Sequence, residues 1–101
     1  MSAKRTDSNQ REVVQAFREL GATVRSIHTV GDGVPDLIVG VHGHTLLVEV
    51  KDGAKPASKR RLTPAEQKFH DEWRGGELLI VETVADVMRA VADARNSWRY
   101  S

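Results

Sequence analysis

The sequence predicts an α/β domain of element order αβββαβα, a mixed four-stranded sheet flanked by helices. Three observations carry that reading. Three strand-like runs follow one another between Ala22 and Lys51, separated by glycine-bearing turns. A sharply marked helix start, "LTPAEQ", comes next, and beyond that helix lies one more apolar run, "ELLIVET". A three-strand meander, a crossover helix and a fourth strand together make a mixed sheet with helices packed on it.

The first helix is expected over about Asn9 to Leu20. Val13, Phe17 and Leu20 recur at helical spacing, with Val14 widening the stripe. Ser8 or Asn9 would cap its start and Gly21 end it. Ala22 to Val30 alternates and is rich in β-branched residues, so it reads as a strand. "GDGVP" makes a sharp loop. Asp36 to Val41 is nearly continuous in apolar character, the pattern of a strand covered on both faces. "HGH" is the turn into Thr45–Lys51.

The second helix starts with Thr63 as N-cap, Pro64 at the first helical position and Glu66 completing a capping box. It ends at Gly75–Gly76, with Trp73 expected to pack helix to sheet. The fourth strand runs from Glu77 to about Glu82. The last helix starts at Thr83, with Asp86 three residues on and Val84, Val87, Met88 and Val91 facing inward.

A chain of 101 residues fits one small domain with a modest core. We expect residues 1–8 to be a loose N-terminus, 9–95 the domain, and 96–101 a tail in which Trp98 and Tyr100 could serve as anchors. Without cysteine there is no disulfide, thiolate metal site or thiol nucleophile. No opening apolar stretch marks a leader and no run is long enough to span a bilayer. The expectation is a cytoplasmic protein without a membrane partner.

Net charge is only +1, but Lys51, Lys55, Lys59, Arg60 and Arg61 stand against the single acid Asp52 between positions 51 and 61. Such a run is either a solvated loop or a contact for an anionic polymer. The four histidines, His28, His42, His44 and His70, lack convincing ligand spacing.

The charged residues of "PDLIVGVHGHTLLVEVK" pose the chemical question. In a hairpin, opposed residues share a face and their numbers sum to a constant set by the turn. A two-residue turn at His42–Gly43 opposes Asp36 to Glu49, and one at Gly43–His44 opposes Asp36 to Lys51. Either register gathers Asp36, Glu49 and Lys51 on one face. Two carboxylates within roughly 5 Å repel, which raises one pKa or recruits a cation. Mg²⁺ would suit oxygen ligands from Asp36, Glu49 and the Val50 carbonyl. Lys51 could then orient water or stabilise charge on a phosphate. The plainer reading is an ion pair of Lys51 with Asp36 or Glu49.

Pro35–Asp36 followed by Glu49-Val50-Lys51 resembles the PD-(D/E)XK nuclease signature, whose core is restriction-endonuclease-like. "G-x-PDL" at Gly33 to Leu37 and "LTPAEQKFHDEWRGGELLIVET" are similar to one branch, the VRR-NUC domain of virus-type replication-repair nucleases. The resemblance spans roughly residues 9–92. It implies a Mg²⁺- or Mn²⁺-dependent endodeoxyribonuclease with one or two ions per site and no organic cofactor. Asp36, Glu49 and the Val50 carbonyl would bind metal, and Lys51 would be the catalytic lysine. Gln67 matches the helix glutamine of the branch, and Glu12 matches its first-helix glutamate. DNA would be met by Lys55, Lys59, Arg60, Arg61 and Lys68.

Small stand-alone members come mainly from bacteriophages and prophages, so the expected setting is a bacterial host's cytoplasm. They resemble Holliday-junction resolvases, which implies a homodimer acting on branched DNA. The alternative is a catalytically silent DNA-binding module of the same fold. A small assembly protein whose charges are merely ion pairs is a third reading.

Overall fold

The computed structural model describes residues 9–97. Its elements, in chain order, are α1 (Gln10–Glu19), β1 (Thr23–Ser26), β2 (Leu37–Val41), β3 (His44–Val50), α2 (Pro64–Glu72), β4 (Glu77–Val81) and α3 (Val84–Ser97). Short 3₁₀ turns occupy His28–Val30 and Ala57–Lys59. The sheet order is β1-β2-β3-β4, antiparallel for the first two pairs and parallel between β3 and β4. This is the predicted meander with a crossover through α2. The predicted first strand is cut short, because the chain leaves extended geometry after Ser26 and turns through His28–Val30.

The β2–β3 hairpin takes the first of the two registers, with Val41 opposite His44 and Leu37 opposite Val48. Its turn residues His42 and Gly43 have φ of 50° and 81°. Two positive φ values in a two-residue loop match the right-handed twist of the strands. Continued by one residue, this register opposes Asp36 to Glu49.

Side chains alternate between the two sheet faces. Leu37, Val39, Val41, Leu46, Val48, Val50 and Val81 point into the core with Val13, Ala16 and Phe17 of α1 and Val87, Ala90, Val91 and Ala94 of α3. Fully burying a side chain such as Phe17 contributes about 1.5–3 kcal/mol. Val84, Val87 and Val91 face inward as expected, but Met88 does not. Met88 is 57% exposed, and the small Ala90 and Ala94 take the inner positions where α3 meets α1. Leu20 is likewise exposed at the end of α1.

The second face of the sheet is not closed by helices, contrary to the expectation for β2. Ile38 and Ile80 lie there and remain exposed. Of α2, no residue is fully buried. Trp73 is 39% exposed, at the side of a groove that it shares with Ile38 and Leu47 of the sheet. It stacks on Phe69 with ring centroids 5.4 Å apart and donates from Nε1 to the Gly76 carbonyl. Trp98 and Tyr100 lie outside the described residues, and α3 runs two residues past the expected domain boundary at residue 95. Among the described residues, no helix is long and apolar enough to cross a membrane.

Candidate active site

The end of the sheet where β2 begins and β3 ends carries the charged cluster. Asp36 precedes β2 and Lys51 follows β3, so the antiparallel pairing brings the two to the same end. Glu49 and Lys51 share the second face because they are two residues apart. All three are buried, Asp36 to 7%, Glu49 to 2% and Lys51 to 8% exposure. Burying charges of this kind is costly unless they are paired or hold a cation.

Each side chain is set by a particular piece of backbone. Asp36 accepts from the Val50 N–H through Oδ2 at 2.8 Å and bonds His28 Nδ1 through Oδ1 at 2.9 Å. Both the N–H and the carbonyl of a strand residue point to the same side. The Val50 carbonyl therefore lies on the edge of β3 that faces Asp36. Lys51 Nζ is 2.9 Å from Glu66 Oε1 and 3.7 Å from Glu49 Oε2. Its backbone is held as well. The Lys51 N–H donates to Val81, and the Lys51 carbonyl accepts from the Asn9 side chain at 3.0 Å.

Asn9 stands at the start of α1 but does not cap it. Its amide nitrogen instead donates to the carbonyls of Lys51 and Glu82, tying the helix to the ends of β3 and β4. Ser8, the other expected cap, lies outside the described residues.

Glu66, expected only as a cap, also reaches the charged cluster. The capping box is present as expected: Thr63 Oγ1 accepts from the Glu66 N–H, and Glu66 Oε1 accepts from the Thr63 N–H. The same Oε1 also takes the Lys51 ammonium. Gly33 makes that approach possible. At φ of 78° it sits so close to the Ala65 carbonyl that a Cβ would overlap it, and the first turn of α2 docks on the loop before Asp36. The signal available in sequence was the N3 position itself, whose side chain folds back toward the helix start.

Gln67 is exposed and donates to Asp71, one turn along α2. Successive helical residues are turned about 100° from each other, so Glu66 and Gln67 cannot both face Lys51. Glu12 is exposed in the first turn of α1. Lys55, Lys59, Arg61 and Lys68 are exposed, whereas Arg60 is half-buried and engaged with Glu82 and the Lys55 carbonyl. His28, set aside in the sequence, is in contact with Asp36.

Two carboxyl groups, Glu49 and Glu66, thus meet the Lys51 ammonium, and Asp36 lies close to Glu49. Burial, then the charge and closeness of Asp36 and after it Glu66, push Glu49 up to about 9. Burial also works against ionising Glu66, but the Lys51 ammonium and the Thr63 N–H outweigh it and hold Glu66 below the ordinary carboxylate range. Glu49 Oε1 is buried and has no hydrogen-bond partner. A carboxylate has no donor to offer its neighbours, so either a proton or a cation must relieve this atom.

A divalent cation fits that need. Among the described residues no set of three or more His, Cys, Asp or Glu side chains forms a metal cage. Asp36, Glu49 and the Val50 carbonyl would offer two carboxylates and a carbonyl, the sparse protein share that Mg²⁺ accepts while keeping several waters.

Among solved structures, the chain is similar to one described as a VRR_NUC domain. The two are 26% identical over 82% of this chain and 89% of that chain, with a TM-score of 0.61. No protein-family model and no curated protein matches the sequence. The structural match supports the resemblance read from "PD…EVK" and gives the molecule the α/β architecture of a VRR-NUC domain.

Proposed function

From a VRR-NUC nuclease-type domain as premise, we propose that this protein is a metal-dependent endonuclease that hydrolyses phosphodiester bonds in DNA at the Asp36–Glu49–Lys51 site. The observation that carries the proposal is the buried, unpartnered Glu49 Oε1 among three carboxyl groups and one lysine. Asp36, Glu49 and the Val50 carbonyl would hold Mg²⁺ or Mn²⁺. Such an ion supplies Lewis-acid polarisation of the phosphate and a more acidic water.

The chain's own residues do the rest. Lys51 brings its ammonium into the cluster, where it would stabilise charge developing on phosphate oxygens. Glu66 holds its ammonium at 2.9 Å, which fixes its aim. Asn9 fixes the backbone on which Lys51 stands. Lys55, Lys59 and Arg61 extend from the loop after β3 and Lys68 from α2, where they would neutralise DNA phosphates in a salt-dependent way. Arg60 has a structural partner in Glu82 and contributes less to that contact. The starts of α1, α2 and α3 all lie near this end of the sheet, and helix N-termini favour anions.

The finer reading is a homodimer acting on branched DNA. Two symmetric cuts need two sites. On the site side of the sheet, a groove of about 430 Å³ lined by Ile38, Leu47, Trp73 and Gly76 leaves apolar surface for a second copy.

The test is cleavage of labelled four-way junction, flap, single-strand and linear duplex DNA with Mg²⁺, Mn²⁺ or chelator, beside Glu49→Ala. Cutting that needs metal and disappears in the variant supports the proposal and reveals the preferred DNA shape. Absence of cutting with metal-independent binding would replace it with the silent DNA-binding module.

A further inference from the structure

His28 stands outside the sequence signature, yet its ring is built into the site. It begins the 3₁₀ turn after β1, where the Ile27 N–H donates to the Asp36 carbonyl at 2.8 Å. That backbone bond brings the His28 ring against the Asp36 side chain, Nδ1 to Oδ1 at 2.9 Å. The pair is largely buried, with side-chain exposures of 21% for His28 and 10% for Asp36. The other ring nitrogen, Nε2, is buried without a partner.

We propose that His28 is a positioning residue that clamps Asp36 in the orientation required to bind the divalent cation. This rests on the nuclease reading above. Asp36 has one oxygen on the His28 ring and the other on the Val50 N–H. Each carboxylate oxygen can accept twice, so both keep a lone pair for a cation. Without His28, Asp36 keeps its Oδ2 anchor on the Val50 N–H but loses the one that fixes Oδ1, so the carboxylate is free to turn about that single bond. Partners of this kind behind a metal ligand are typically worth about 10–100-fold in metal affinity.

The clamp has a signature that does not depend on metal. A carboxylate only accepts, so Nδ1 must carry the proton, and in the neutral ring Nε2 is left bare. Nitrogen-15 spectra of the full-length protein, labelled at histidine and recorded in chelator, should show His28 protonated at Nδ1. Asp36→Asn should disturb that signal. A neutral His28 with its proton on Nε2 overturns the clamp whatever the metal does.

The second arm is Mn²⁺ binding, followed by electron paramagnetic resonance and calorimetry, without DNA. His28→Ala should weaken binding about 10–100-fold. His28→Asn should restore most of it, because its side-chain N–H occupies the place of Nδ1. A His28→Ala protein that binds like the parent overturns the proposal, as does His28→Asn that binds no better than alanine. Should the parent itself ignore Mn²⁺, the nuclease reading falls and the metal role of His28 falls with it. The nitrogen-15 result still decides whether the clamp exists.

Discussion

Two helices of this molecule begin with the same device and end up doing different things. α2 starts Thr63-Pro-Ala-Glu66 and α3 starts Thr83-Val-Ala-Asp86, each a threonine with an acid three residues on. In both, the threonine hydroxyl accepts from the acid's N–H and the acid accepts from the threonine's N–H. α3 buries Val87, Ala90, Val91 and Ala94, whereas α2 buries nothing completely. Asp86 adds only the Glu82 N–H and Arg89 to its partners. Glu66 adds the buried Lys51. The helix that builds the core keeps its capping acid for itself. The helix that contributes little to the core is placed by its first turn, and its capping acid serves the site. A local motif therefore specifies a helix start without specifying where that start is docked.

The contrast is broken most directly by neutralising each acid. Glu66→Gln preserves the capping box, since glutamine also serves there, and removes the charge facing Lys51. Cleavage should fall about 10–100-fold, the equivalent of the roughly 1.5–3 kcal/mol of a hydrogen bond to a charged group. Asp86→Asn should leave cleavage unchanged. Initial rates on one labelled substrate would decide, and equal losses in the two variants would mean that Glu66 acts only as a cap.

Moving the helix instead of its charge should cost somewhat less activity and more stability. Gly33→Ala forces a Cβ against the Ala65 carbonyl at a φ of 78°. The first turn of α2 must retreat, separating Glu66 from Lys51. We expect a loss of about 1–3 kcal/mol in urea unfolding, the usual cost of such strain, with reduced cleavage. The same substitution at Gly43, which also has positive φ but meets nothing within 4 Å, should lower stability and spare activity.

What could be read in the sequence was what depends on short-range rules. Two hairpin registers are compatible with the sequence and both gather Asp36, Glu49 and Lys51 on one face; the structure takes the one that opposes Asp36 to Glu49. Both capping boxes were readable because they span four residues. What could not be read depends on how separate elements meet. Glu66 reaches Lys51 only because the Gly33 backbone admits α2, and nothing in "LTPAEQ" encodes that distance. His28 reaches Asp36 because the chain leaves β1 early, where alternation alone predicted four more strand residues. The expected α2 residue, Gln67, stands one position from Glu66, whose side chain meets Lys51. One position on the inward face of α3, Met88, departs from expectation for a related reason. Hydrophobicity favoured Met88, but close packing against α1 favoured Ala90 and Ala94.

The pH dependence of stability sharpens the comparison between a helix start bound to the site and one that is not. Glu49 is raised from an ordinary 4.5 to about 9 in the folded state. The folded protein therefore holds a proton that the unfolded chain has lost, and the linkage sign is fixed. Its contribution is full below about pH 4.5 and drains away as pH rises toward 9. Asp86 is lowered, chiefly by the Glu82 N–H, so its contribution is present above an ordinary 3.8 and lost as pH falls through its lowered value. In chelator, the urea midpoint of the parent should decline from pH 5 to 9, Glu49→Gln should flatten that decline, and Mg²⁺ should oppose it. Asp86→Ala should leave the alkaline slope intact and soften only the acid limb, at a cost near neutral pH of about 1 kcal/mol for a lost cap. An alkaline slope that Asp86→Ala removes, or that Glu49→Gln leaves untouched, would show that the proton is held elsewhere and that the charged end of the sheet is not what couples this fold to pH.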